Sequence, residues 1–158
     1  MRIADYAAAD LVATGLEAHT KDQLLEQMVG MLVRSRRVPT SDVLMQELLK
    51  REHIMSTGIG GGIALPHALS NDVRDLVMVF AHTHEPIDFQ ALDGHPVDLV
   101  FMLVGPKSAS SIYLKLLARV SRLLQNEDFK QRLRRAGTPE QVLEVFGGED
   151  LELPRTGE

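Results

Sequence analysis

His67 follows a proline and stands five residues beyond a stretch in which four of five positions, Gly58, Gly60, Gly61 and Gly62, are glycine. An imidazole is a nucleophile when its ring is neutral, and near pH 7 it can take up and hand on a covalent group. Six histidines occur in the chain, and context separates this one. Pro66 fixes the backbone leading into it and biases Leu65 toward extended geometry. Glycines let the main chain approach an anion closely and let successive N–H groups converge on it. A phosphoryl group on His67 brings strong negative charge, which requires hydrogen-bond donors and a cation. Ser56, Thr57, Gly58, Gly60, Gly61 and Gly62 are the candidate phosphate-binding donors, and Arg51 in the preceding segment is the candidate cation.

Other chemistries fit less well. A GxGxxG pattern starting at Gly58 requires glycine where Ile63 stands, and no Gly-Lys-Ser/Thr follows, so bound nucleotide is disfavoured there. His82 and His84 alternate so as to share one strand face, with His95 as a third metal ligand. The pair falls at a strand end without an HxxxE or second HxH, and no metal is expected. Asp88, Asp93 and Asp98 lack the paired-carboxylate signature of acid/base hydrolysis. With no cysteine in the chain, disulfides, thiolate metal sites, iron–sulfur clusters and cysteine nucleophiles are all excluded.

The formal net charge of −5 argues against a protein built to grip nucleic acid. Basic clusters occur at Arg34, Arg36, Arg37 and at Arg132, Arg134, Arg135. Both lie near helix ends, where cations favour the dipole, and they read as solvated surface ahead of a docking patch. The first ten residues lack a signal-peptide pattern. The longest uninterrupted apolar runs, 76–81 and 99–104, are far below the roughly 18 residues of a membrane span, so no membrane insertion and a cytoplasmic location are expected.

The elements that must position these residues follow from periodicity. Leu24, Leu25, Met28, Met31 and Leu32 predict a helix over 21–36 with Thr20 as N-cap, and Val43, Leu44 and Leu48 a second one to about residue 53, capped by Thr40 or Ser41. Ile63 to Leu65 reads as a short buried strand. Longer strands are predicted over 76–81 and 97–104, separated by a loop over 86–94 with a brief extended piece at 87–89. Ile112, Leu116, Leu117, Val120 and Leu124 predict a helix after Gly105-Pro106, followed by shorter ones over 127–135 and 139–146, the last introduced by Thr138-Pro139. The fold class is α/β, a mixed central sheet sandwiched between helices. A single domain over 1–147 is expected, with an acidic, weakly ordered tail over 148–158.

The run Arg51-Glu52-His53-Ile54-Met55-Ser56-Thr57-Gly58-Ile59-Gly60-Gly61-Gly62-Ile63-Ala64-Leu65-Pro66-His67-Ala68 resembles the active-site signature of enzyme IIA of the bacterial phosphotransferase system, fructose/mannitol class. Pro86-Ile87-Asp88-Phe89, Asp93-Gly94 and Pro96-Val97-Asp98-Leu99-Val100-Phe101 continue the likeness in order and spacing, and a free-standing chain of this size is most similar to the nitrogen-regulatory branch. The resemblance implies a phosphocarrier and regulator whose phosphorylated histidine is His67 and whose arginine is Arg51. It implies a phosphoryl donor of the HPr type, transfer between protein side chains, and neither metal nor cofactor. Sugar-transport members share the signature and pass the group to a IIB domain, which is the alternative function.

Two departures from the family pattern stand out. Gly61 occupies a position where members carry Asn. The second active-site histidine of the family, at the start of a His-Leu-x-x-Leu helix motif, maps onto Tyr113 in Tyr113-Leu114-Lys115-Leu116-Leu117. A phenol donates one hydrogen bond but carries no positive charge at pH 7, and Lys115, about 200° further round a helix, is poorly placed to supply it. A transfer-impaired interaction module is therefore the third reading.

Overall fold

Two strands with almost no exposed side chains over most of their length force helices onto both faces of a sheet. In β5 (Val77–Ile87) and β6 (Val97–Gly105) the pleat sends Val77, Val79, Ala81, Val100, Met102 and Val104 to one apolar core, and Met78, Phe80, Leu99, Phe101 and Leu103 to a second. In this computed structural model, which describes residues 1–152, the first core is closed by α1 (Lys21–Arg34) and α2 (Asp42–Ile54). The second is closed by α3 (Ser110–Leu123), α4 (Glu127–Arg135) and α5 (Pro139–Glu152). The result is the predicted three-layer α/β sandwich around a mixed sheet.

The sheet has six strands. β1 (Val12–Leu16) pairs in parallel with β5, β5 pairs antiparallel with β6, β6 pairs in parallel with β3 (Ile63–Ala64), and β3 pairs antiparallel with β2 (Gly58–Gly60). β4 (His67–Leu69) also runs parallel to β6, with His67 opposite Leu103. Between these two short strands the ladder is maintained: Gly62 O accepts from Asp98 N and Leu99 N, Pro66 O from Leu103 N, and Gly105 O from Ser70 N. The segment from Gly62 to Ser70 is thus bonded along β6 through the Pro66 step, which places His67 beside the buried strand β6, opposite Leu103.

Helix ends follow the sequence closely. Thr20, Asn126 and Thr138 each accept a hydrogen bond from the backbone N–H three residues on. Ser41 occupies the N-cap of α2 without a side-chain bond. The buried stripe of α3 is Tyr113, Leu116, Val120 and Leu123, so Ile112, assigned to the core by periodicity, faces outward with 46% of its surface exposed. α5 continues through Gly147 and Gly148 to Glu152 where pattern predicted loss of order. The buried Glu149 carboxylate, ion-paired with Arg132 of α4, anchors that extension. Residues 153–158 of the expected tail lie outside the described residues.

Candidate active site

His67 opens β4, and its ring is oriented by the main chain just before it: Nδ1 lies 2.7 Å from the carbonyl oxygen of Leu65. In the neutral ring that geometry assigns the proton to Nδ1, which donates to Leu65, and leaves the lone pair on Nε2. The ring centroid is 6.1 Å from that of Tyr113. Tyr113 in turn lines a cleft of about 300 Å³ with Glu47, Lys50, Arg51 and Ile54 of α2 and with Ala68 and Leu69 of β4. The structure therefore brings His67, Arg51 and Tyr113 together from β4, the last turn of α2 and the first turns of α3. Burial pushes the Tyr113 phenol up to about 12, against the opposing pull of the Arg51 charge. It is a neutral hydroxyl at physiological pH. Lys115 is exposed on another side of α3, lining a different cleft with Met1, Tyr6 and Arg122.

The glycine-rich turn is tied into the fold on all sides. Ser56 Oγ donates to Phe89 O and accepts from Gly58 N. Thr57 is buried, and both its N–H and its hydroxyl donate to the Glu52 carboxylate, which also pairs with Lys21 Nζ at 3.0 Å. Gly61, at φ +65°, donates its N–H to Asp93 Oδ2 at 3.0 Å. This left-handed conformation is open to Gly and, among other residues, best tolerated by Asn. Gly58 and Gly60 lie on β2, paired with β3, and a side chain at Gly62 would meet Arg134 and Asp98 at 2.8 Å. The hydroxyls of Ser56 and Thr57 and the Gly61 amide thus have partners inside the chain.

Sequence reasoning missed the residues that hold this turn. Arg134 of α4 binds Asp98 through Nε at 2.8 Å and Nη2 at 2.9 Å, and Nη2 also reaches Gly61 O at 3.3 Å. His82 approaches the same carboxylate, Nε2 to Oδ2, at 3.7 Å. Among the described residues no group of three His, Asp or Glu side chains has the arrangement of a metal site. Burial holds the His82 imidazole below its ordinary value; Asp98 opposes this and Arg134 adds to it. A lowered imidazole favours the folded state fully above the ordinary value and loses that contribution as pH falls through the folded one. His82→Gln is expected to flatten this part of the acid limb of stability. Melting temperature followed from about pH 7.5 to about pH 5 checks it, and an unchanged slope would count against the assignment.

Exposed apolar side chains lie on the elements that carry the site, and Ile54 of α2 lines the cleft itself. Ile54 and Met55 at the end of α2, Ile59 on β2 and Leu114 next to Tyr113 are 76%, 64%, 48% and 63% exposed, whereas the exposed Ile112 lines the other cleft with Lys115. Leu92, whose N–H bonds Gly58 O, is 79% exposed. The signal was present for Leu114, an apolar residue lying off the periodicity that buries the rest of its helix.

Comparison with known families decides the affiliation. The model of the phosphoenolpyruvate-dependent sugar phosphotransferase system EIIA 2 family matches residues 6–147. The chain belongs to the EIIA type 2 family. A nitrogen regulatory protein of Bradyrhizobium diazoefficiens is 32% identical to this EIIA chain over 146 residues, covering 92% of it and 95% of the relative. A fructose-specific EIIA component of Haloferax volcanii is 35% identical over 127 residues, covering 80% and 82%. The crystal structure of the nitrogen regulatory protein IIA-Ntr from Neisseria meningitidis superposes with a TM-score of 0.85 at 27% identity, covering 91% of the EIIA chain and 98% of its own. No described helix of the chain is long and apolar enough to cross a membrane.

Proposed function

We propose that this EIIA-family chain is a cytoplasmic phosphocarrier and regulator that accepts a phosphoryl group on Nε2 of His67 from a phosphohistidine donor of the HPr type. The observation that carries the reading is the tether of Nδ1 to Leu65 O beside a cleft holding Arg51 and Tyr113. The Nε2 lone pair forms the new N–P bond while the donor's N–P bond breaks and its imidazole leaves with the electron pair. No proton need move to start the step. Arg51 neutralises the phosphoryl oxygens, the Tyr113 hydroxyl donates to one of them, and the exposed apolar residues seat the donor protein. Ser56, Thr57 and Gly58 to Gly62, whose donors are largely engaged inside the fold, serve the site as its frame. Incubating the chain with the upstream phosphorelay and reading intact mass tests this. A phosphoryl adduct mapped by peptide mass spectrometry to His67 is expected, and its absence would sink the proposal.

Delivery to a IIB cysteine is the second reading, favoured by the likeness to a fructose-specific component. Phosphoryl transfer from the loaded chain to a IIB domain separates it from purely regulatory use.

Tyr113 tests the third reading, an interaction module that transfers poorly. One hydrogen bond to a charged group contributes about 1.5–3 kcal/mol, so Tyr113→Phe is expected to slow transfer about ten- to a hundredfold if the bond forms mainly in the transition state. Tyr113→His should preserve or improve the rate. Identical kinetics and phosphohistidine lifetime for Tyr113→Phe and the parent would show that the ring only covers the pocket.

A further inference from the structure

The C-terminus of α1 carries a residue that its backbone disfavours. Arg36 adopts φ +64°, in the position ordinarily taken by glycine when a helix closes with Arg37 N bonded to Leu32 O and Arg36 N to Val33 O. Those bonds, with Ser35 N to Met31 O, satisfy the carbonyls at the helix end, so the cap has no need of a guanidinium group. A strained residue kept where glycine would serve directs attention to its side chain. Arg36 lines a cleft of about 550 Å³ with Val33, Arg37, Val38 and Pro39 on one side and Asn71, Asp72 and Arg74 on the other. The two walls are linked by Arg74 N donating to Arg37 O.

Among the described residues, the side chains of Arg36, Arg37 and Arg74 form no ion pair or hydrogen bond. Three unpartnered guanidinium groups around one cleft, in a chain of net charge −5, create a local positive field. Their planar forks match phosphoryl oxygens two at a time. The volume is that of a small-molecule site. The Asp72 carboxylate repels an anion but accepts hydrogen bonds from hydroxyl groups, the Asn71 amide nitrogen donates to them while its Oδ1 accepts from Lys107 N, and Val33, Val38 and Pro39 offer an apolar wall. We propose that this cleft binds a small organic polyphosphate with a hydroxylated body, its phosphoryl groups held by Arg36, Arg37 and Arg74 and its hydroxyls by Asp72 and Asn71. The site shares no lining residue with the His67 cleft and does not depend on His67 chemistry.

Calorimetric titration of the full chain with ATP, inorganic tripolyphosphate and citrate, in chelator and at low salt, tests it. Saturable 1:1 binding of ATP is expected, with tripolyphosphate weaker and citrate weakest. Arg36→Gly should raise the melting temperature by relieving the left-handed strain, yet lower ATP affinity about tenfold or more. Arg74→Gln should lower affinity similarly, while His67→Ala should leave it unchanged. No saturable ATP binding at millimolar concentration, or binding untouched by both arginine substitutions, would overturn the site. Citrate binding as tightly as ATP would overturn the phosphoryl assignment, and tripolyphosphate binding as tightly would overturn the role of Asp72 and Asn71.

Discussion

His67→Ala is expected to leave the chain folded and wholly without a phosphoryl adduct after incubation with a phosphohistidine donor. The ring sits at the start of β4, where the main chain is already held by Pro66 O and by pairing with β6. Its removal sacrifices one hydrogen bond to Leu65 O, an effect on the order of 1 kcal/mol. No other histidine stands in the same setting. His82 is turned toward Asp98, and His19, His53, His84 and His95 are exposed side chains that, among the described residues, have no such main-chain tether. Intact mass separates the outcomes cleanly, and an adduct that survives the substitution would remove His67 from the mechanism while leaving the fold assignment intact.

Arg51→Met should cost the next largest amount. Arg51 is exposed in the last turn of α2 and lines the cleft with Tyr113. Removing one preorganised group that stabilises developing charge typically costs about 10²–10³ in rate, and methionine preserves helix propensity and side-chain length. The substitution should leave the melting temperature almost unchanged, because Glu52 rather than Arg51 joins α2 to Thr57 and Lys21. Rapid-quench measurement of a single turnover reads the effect, and Arg51→Lys should recover part of it. A loss below about threefold would assign the phosphoryl oxygens to other donors.

The elements legible in the sequence were those with strong local signals. α4 has the predicted bounds because an N-cap asparagine, an acidic first turn and a basic last turn coincide. Strands decided by partners were not legible. β1, with Ala13 and Gly15 among its five residues, is extended because β5 pairs with it, and β2 and β4, three residues each, exist only as partners of β3 and β6. β5 runs on through His82 to Ile87, past polar residues and Pro86 that read as a loop, because β1 pairs with it as far as Thr83 and Ile87 rejoins β6 opposite Val97 after a break in register. At the site, residue chemistry singled out His67 and its glycines, whereas the pairing of Arg51 with Tyr113 across α2 and α3 rested on family likeness. The Arg134 anchor was invisible because it lies in a helix and meets Asp98 only when distant segments pack, and the Glu52 anchor because its carboxylate turns back to Thr57, five residues on, only where α2 ends against Lys21.

The unbroken ladder from Gly62 to Ser70 along β6 has a consequence for how loading of the carrier is read. Amide protons on such a ladder exchange with solvent only through large-scale opening, so those of Leu99 and Leu103 should be among the slowest in the molecule. A histidine mounted on so stiff a mast has little freedom to move backbone when it is modified. On the proposed function, a phosphoryl group on His67 would then be read as charge, added beside Lys50, Arg51 and Glu47 of the cleft. On that reading, a partner that distinguishes the two forms would do so by electrostatics at an otherwise unchanged contour.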